Sequence, residues 1–206
     1  MKKIFFTQVL LALLLSMNTP AFSAANPFSD VPAGHWAYNA VTKLASDGIN
    51  QGYGDGTFRG DRSVNRYEVA TMIARVLAIK SNNFGDNATD FPDVPSGHWA
   101  RNSVKLSSAA GISKGYSDGS FRGDRNITRY EMAAVISRLM FEKNKLLTKS
   151  AMPFSDVPAE HWAADFVKTL ASQGLIEGYG DGTFRGERNI TRYETAIMLA
   201  KVMVSM

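Results

Sequence analysis

G-Y-G-D-G-T-F-R-G-E-R-N-I-T-R-Y-E, Gly178 to Glu194, is the stretch whose reading decides the fold. Near-copies run over Gly52–Glu68 and Gly115–Glu131, and Arg66, Arg129 and Arg192 stand 63 residues apart. A fixed period, held through both intervening segments, marks a repeated supersecondary unit. Whatever the chain does, it is expected to do three times.

Upstream of each copy lies a second recurring segment: Phe28–Ala37, Phe91–Ala100 and Phe154–Ala163, all reading F-x-D-V-P-x-x-H-W-A. Its prolines keep the backbone before the histidine extended. A helix follows, because Trp36, Ala37, Ala40, Val41, Leu44 and Ala45 recur at helical spacing and Gly48 is placed to end it. The third repeat keeps this pattern with Trp162, Phe166, Val167, Leu170 and Gly174. In the second, Leu106 falls one place early, and Ser107 and Ser108 replace Leu44 and Ala45. That helix is expected to pack less well, or against something different. Asp-Gly pairs then demand turns with positive φ, so G-Y-x-D-G-x-F-R-G is ordered loop. Thr128 with Glu131 and Thr191 with Glu194 form capping boxes that open a second helix, and Asn65 with Glu68 does the same in the first repeat. Val69, Met72, Ile73, Val76 and Leu77 supply its apolar stripe. The fold class is therefore all-α, with three helix-loop-helix repeats sharing one core, since each is small for an independent domain. Polar connectors run over Lys80–Asp90 and Glu142–Ser150.

Met1–Ala25 reads as a secretory signal peptide: Lys2 and Lys3 precede an apolar run at Ile4–Leu15, and Ala21-Phe22-Ser23 offers a cleavage pattern. The run is short of the roughly 18–20 residues a membrane span needs, so no transmembrane segment is expected after cleavage. The chain has no cysteine, which leaves no lipid anchor, disulfide framework or thiol chemistry. Net charge falls from +4 to +2 once Lys2 and Lys3 leave, and no dense basic face suggests a nucleic-acid partner.

Arg66, Arg129 and Arg192 each occupy the first helical position, where a cation is unfavourable by about 0.3–1 kcal/mol. Placing one there three times suggests a compensating anion, since a guanidinium beside free helix N–H groups can bind carboxylate or phosphate. The alternative is a local ion pair with Asp30, Asp93 or Asp156. Trp36, Trp99 and Trp162 suit the C–H face of a sugar or a place in the core, and Tyr53, Tyr116 and Tyr179 share that ambiguity. His35, His98 and His161 lack a second ligand at metal spacing and read as hydrogen-bonding residues at a helix start. Asp55, Asp118 and Asp181 lack the acidic alternation of a calcium loop and read as turn formers. No cofactor is implied. No nucleophile elbow or paired-carboxylate cleft stands out, so an enzyme is not expected.

In these motifs the chain resembles the S-layer homology (SLH) family, over essentially everything after the signal peptide. The resemblance implies repeats at 26–80, 89–143 and 152–206 in a pseudo-threefold, three-pronged bundle with ligand grooves between neighbours. It implies non-covalent attachment to a cell-wall glycan or peptidoglycan at the cell envelope, commonly through an acidic sugar such as a pyruvylated residue. Mapped onto this sequence, it puts Arg66, Arg129 and Arg192, Asp30, Asp93 and Asp156, and Trp36, Trp99 and Trp162 in the ligand site. Tyr67, Tyr130 and Tyr193 replace the family's usual alanine and are expected to crowd or reshape the groove. The wording G-D-R-N-I-T-R-Y-E is similar to outer-membrane proteins of Gram-negative-type relatives of the Firmicutes. There the family implies peptidoglycan carrying polyamines, which carboxylates such as Asp30, Asp55, Asp118 and Asp181 would read. A self-assembling surface protein is the alternative class. Since the chain stops at Met206, soon after Lys201, an envelope protein partner is a candidate for what it tethers.

Overall fold

Among the described residues, three short helices and three longer ones alternate: α1 (Tyr38–Ser46), α2 (Arg66–Lys80), α3 (Arg101–Ala109), α4 (Arg129–Met140), α5 (Ala164–Ser172) and α6 (Arg192–Ser205). The computed structural model describes residues 27–80, 89–140 and 151–205; the signal segment and most of both connectors lie outside them. Helix boundaries follow the local chemistry read from the sequence. Gly48, Gly111 and Gly174 sit at φ +71°, +72° and +67°, just past the ends of α1, α3 and α5. At the start of α2, Asn65 Oδ1 accepts the Glu68 N–H at 2.9 Å while Glu68 accepts the Asn65 N–H at 3.0 Å. Thr128 with Glu131 and Thr191 with Glu194 repeat this box.

Packing crosses the repeat boundaries. Each long helix lies against the short helix of the next repeat, so α2 packs on α3, α4 on α5, and α6 returns to α1. A prong is thus shared between two repeats, and the third prong joins the two ends of the chain. The ring closes at the pseudo-threefold axis through main-chain bonds. Ile127 N–H donates to the Val64 carbonyl (3.0 Å), Ile190 N–H to Ile127 (3.0 Å), and Val64 N–H to Ile190 (3.2 Å). These three side chains are themselves fully buried or nearly so.

Tyr67, Tyr130 and Tyr193 wedge the repeats together. Each ring is buried against the glycine of the following repeat's loop, where an added Cβ would lie 2.0–2.1 Å from the nearest ring atom of its tyrosine at Gly60, Gly123 and Gly186. Each also stacks on the following repeat's histidine, 4.2–4.3 Å between ring centres. The main apolar cluster draws on all three repeats. Leu44 and Leu170 are fully buried members of it; the second repeat has Ser107 there, also fully buried. The prong around α3 accordingly forms a separate cluster from Tyr67, Phe91, Val94, Val104 and Phe121, while Leu106 packs toward the main one. The irregular second repeat does pack against something different.

Candidate functional site

The loop before each long helix is built around a backbone that arginine seldom adopts. Arg59, Arg122 and Arg185 have φ of +54°, +52° and +54°, in the left-handed region. Asp30 holds the first in place, its two oxygens accepting the Phe58 and Arg59 N–H groups, both at 2.7 Å. Asp93 and Asp156 do the same for Phe121 with Arg122 and for Phe184 with Arg185. Asp55 closes the preceding turn onto the Thr57 N–H at 3.0 Å and pairs with Arg59 at 2.7 Å. The Thr57 hydroxyl and then Arg59 hold its carboxyl at about 2. Asp118 and Asp181 are engaged in the same way by Ser120 with Arg122 and by Thr183 with Arg185. Asp55, Asp118 and Asp181 therefore make the turns expected of them, and none of these six aspartates lines the cavities described below.

Arg66, Arg129 and Arg192 do open α2, α4 and α6, but they pair with neither their own repeat's aspartate nor free space. Each reaches into the next repeat's loop. Arg66 donates to the Phe121 and Lys114 carbonyls (2.8 and 2.6 Å), Arg129 to Phe184 and Glu177 (2.8 and 2.9 Å), and Arg192 to Phe58 and Gln51 (2.9 and 3.0 Å). The helix N–H groups expected to face an anion are also occupied. Those of Arg66 and Tyr67 donate to the Arg125 and Gly123 carbonyls, with the same pairings at the other two junctions. Burial pushes all three guanidinium pKa values down. Beside each arginine stands a tyrosine ring, Tyr116, Tyr179 or Tyr53, 4.9–5.1 Å from its guanidinium carbon.

Three cavities lie beside these arginines. Groove 1 (≈ 200 Å³) takes Arg192 from the third repeat, Tyr53 and Glu68 from the first, and Trp99 from the second. Groove 2 (≈ 160 Å³) combines Arg66, Tyr116 with Glu131, and Trp162. Groove 3 (≈ 530 Å³) combines Arg129, Tyr179 with Glu194, and Trp36. Every groove is thus assembled from all three repeats. Trp36, Trp99 and Trp162 are 64%, 63% and 56% exposed, which overturns a place in the core. They are steadied from below, each ring edge-on to a buried tyrosine at 5.6–6.3 Å. Tyr67, Tyr130 and Tyr193 line none of the three cavities, so they do not crowd a groove; they support its aromatic rim. The histidines make the bond expected at a helix start, Nδ1 of His35, His98 and His161 accepting the N–H of Ala37, Ala100 and Ala163 at 3.2 Å.

Residues 27–70, 90–133 and 153–196 each match the model of the S-layer homology domain. The chain belongs to the S-layer homology family. SLH domains are modules for non-covalent attachment to cell-wall polymers, in exported proteins of the cell envelope; they anchor and do not catalyse. Similar proteins include Cell surface glycoprotein 1 of Acetivibrio thermocellus, 34% identical over 74% of this chain and 7% of its own length. The Cellulosome-anchoring protein of the same organism is 32% identical over 72% of this chain and 34% of its length. Outer membrane protein SlpA of Thermus thermophilus is 36% identical over 53% of this chain and 12% of its length. The chain spans about a third or less of each of these relatives. Among the described residues no helix is long and apolar enough to cross a membrane.

Sequence reasoning passed over several SLH groove residues. Glu68, Glu131 and Glu194 read only as capping partners, yet all three line grooves. Gln51, Lys114 and Glu177, and likewise Arg75, Arg138 and Lys201, also face them. Their signal was the 63-residue spacing itself, which sets three different side chains at one structural position.

Proposed function

We propose that this chain holds an anionic cell-wall glycan in the three inter-repeat grooves, through Trp36, Trp99 and Trp162 with Arg66, Arg129 and Arg192. One observation carries this reading: an exposed tryptophan and an arginine from two different repeats meet over a tyrosine–glutamate floor supplied by the remaining repeat. A flat indole face suits the C–H face of a sugar ring. A guanidinium fixed by two main-chain carbonyls keeps further N–H donors for a ligand oxygen and cannot lose its charge. Among the residues lining each groove cations outnumber carboxylates, which favours an acidic polymer over one bearing polyamines. Asp30, Asp55 and their equivalents, the residues that would read an ammonium group, are engaged by backbone N–H groups and by Arg59, Arg122 and Arg185. Three modest sites on one rigid body gain avidity when a polymer reaches more than one of them.

Co-sedimentation with wall sacculi, before and after removal of acidic polymer or of polyamine, tests the reading. Loss of binding after removal of acidic polymer alone supports it. Loss after polyamine removal alone would replace it with the peptidoglycan reading, and concentration-dependent assembly without wall would replace it with a self-associating surface protein.

A further inference from the structure

One groove rim departs from the threefold plan. Trp162 stands at the edge of groove 2, and four residues on, in the first turn of α5, the chain places a second aromatic ring, Phe166. The two ring centres lie 6.4 Å apart with the planes at 68°, an edge-to-face pair. The equivalent positions in the second and first repeats carry Ser103 and Ala40, so the rims at Trp99 and Trp36 have a small side chain there.

Packing alone does not call for that ring. Ala40 fills the same place on α1, where it is buried, and Ser103 fills it on α3. Phe166 rests on the main apolar cluster yet stays half-buried. Arg138 of α4 lies over it, its guanidinium carbon 5.6 Å from the ring centre. The same arginine lines groove 2 and donates to the Ile112 carbonyl at 3.2 Å, which leaves it further N–H donors. Its counterparts Arg75 and Lys201 turn instead to Gln51 and Glu177. Trp162, Arg138 and Phe166 therefore make one continuous surface that leads out of groove 2 along α5. An aromatic face beside hydrogen-bond donors suits a neutral sugar, whose ring offers a C–H face and hydroxyl oxygens. The separation of the two rings is comparable with the step between neighbouring units of a glycan chain.

We propose that Phe166 and Arg138 form a second sugar subsite outside groove 2, which takes the unit next to the one stacked on Trp162. This rests on the reading that the grooves bind wall polymer, and it names what adjoins the sugar in one of them. The subsite recognises an uncharged ring by its C–H face and hydroxyls, so it lengthens the stretch read at groove 2 and has no counterpart of the same build at Trp36 or Trp99.

Tryptophan fluorescence makes the subsite measurable. A chain retaining Trp162, with Trp36 and Trp99 replaced by phenylalanine, is titrated with N-acetylglucosamine and with its β-1,4-linked disaccharide. The disaccharide is expected to bind about fivefold tighter, the scale of one added aromatic contact. Phe166→Leu keeps an apolar side chain of similar size on the cluster. It should erase the gain and leave the affinity for the single sugar unchanged. A chain retaining Trp99 alone should show no such gain. Equal affinity for the two sugars at Trp162, an equal gain at Trp99, or a gain that survives Phe166→Leu would overturn the subsite. A Phe166→Leu chain that binds both sugars more weakly by the same factor would make Phe166 a packing residue and overturn it too. Silence of Trp162 toward both sugars, in a chain that still sediments with sacculi, would overturn the subsite and leave the proposed function intact. Loss of sedimentation itself would remove the underlying reading.

Discussion

A single arginine per junction has two duties, and the three copies divide them unequally. Arg129 is buried and bonded to two carbonyls and Glu194, so Arg129→Ala should cost about 3–5 kcal/mol, measurable by urea unfolding. Arg66→Ala is expected to cost clearly less stability and more wall binding, a dissociation that co-sedimentation beside the same unfolding curve will reveal. Glu194 links this site to pH. Burial opposes its ionisation, but the Thr191 N–H, Arg188, Arg129 and Tyr179 outweigh burial and hold its carboxyl below the ordinary range. Its stabilising contribution is therefore complete above the unfolded value of about 4.3 and is lost as pH falls through the lower folded value. Glu194→Gln should flatten the fall in stability below about pH 4 relative to the parent chain. At this scale the sequence was legible in identity and not in partner. The triplet of arginines, the aspartates and the tryptophans could all be picked out by spacing. That Arg66 would reach a carbonyl at Lys114 could not, because the hydrogen bond spans repeats and leaves no local pattern.

At the level of elements, capping boxes, terminal glycines and Asp-Gly turns were all readable, since each is a short-range device with fixed chemistry. The left-handed Arg59, Arg122 and Arg185 were not, because arginine has no preference for that backbone and only a distant aspartate holds it there. Nor was the role of Tyr67, Tyr130 and Tyr193, whose rings meet a glycine from another repeat. That contact makes a clean prediction. Gly123→Ala would drive its Cβ to 2.1 Å from the Tyr67 ring, whereas Gly54→Ala meets nothing within 4 Å. The first should lose about 3 kcal/mol or more by chemical unfolding and the second should stay near the parent value.

For the molecule as a whole, the shared prongs and the ring at Val64, Ile127 and Ile190 mean that no repeat completes a groove alone. A fragment covering residues 27–140 lacks both α6, the partner of α1, and α5, the partner of α4. It should show no cooperative unfolding transition, in contrast to many linear repeat arrays that tolerate truncation. The all-α, three-repeat plan followed from helical spacing and the period, and the threefold arrangement was implied by the family resemblance, but the exchange of helices between neighbours was in neither. Helix periodicity reports which face is apolar and is silent on which neighbour covers it. The central claim, that wall polymer is held in clefts rimmed by one tryptophan each, is tested most directly by replacing Trp36, Trp99 and Trp162 together with alanine. All three are exposed, so far-ultraviolet circular dichroism should be unchanged. Co-sedimentation with purified sacculi is predicted to fall at least tenfold, and sedimentation equal to that of the parent chain would contradict the account.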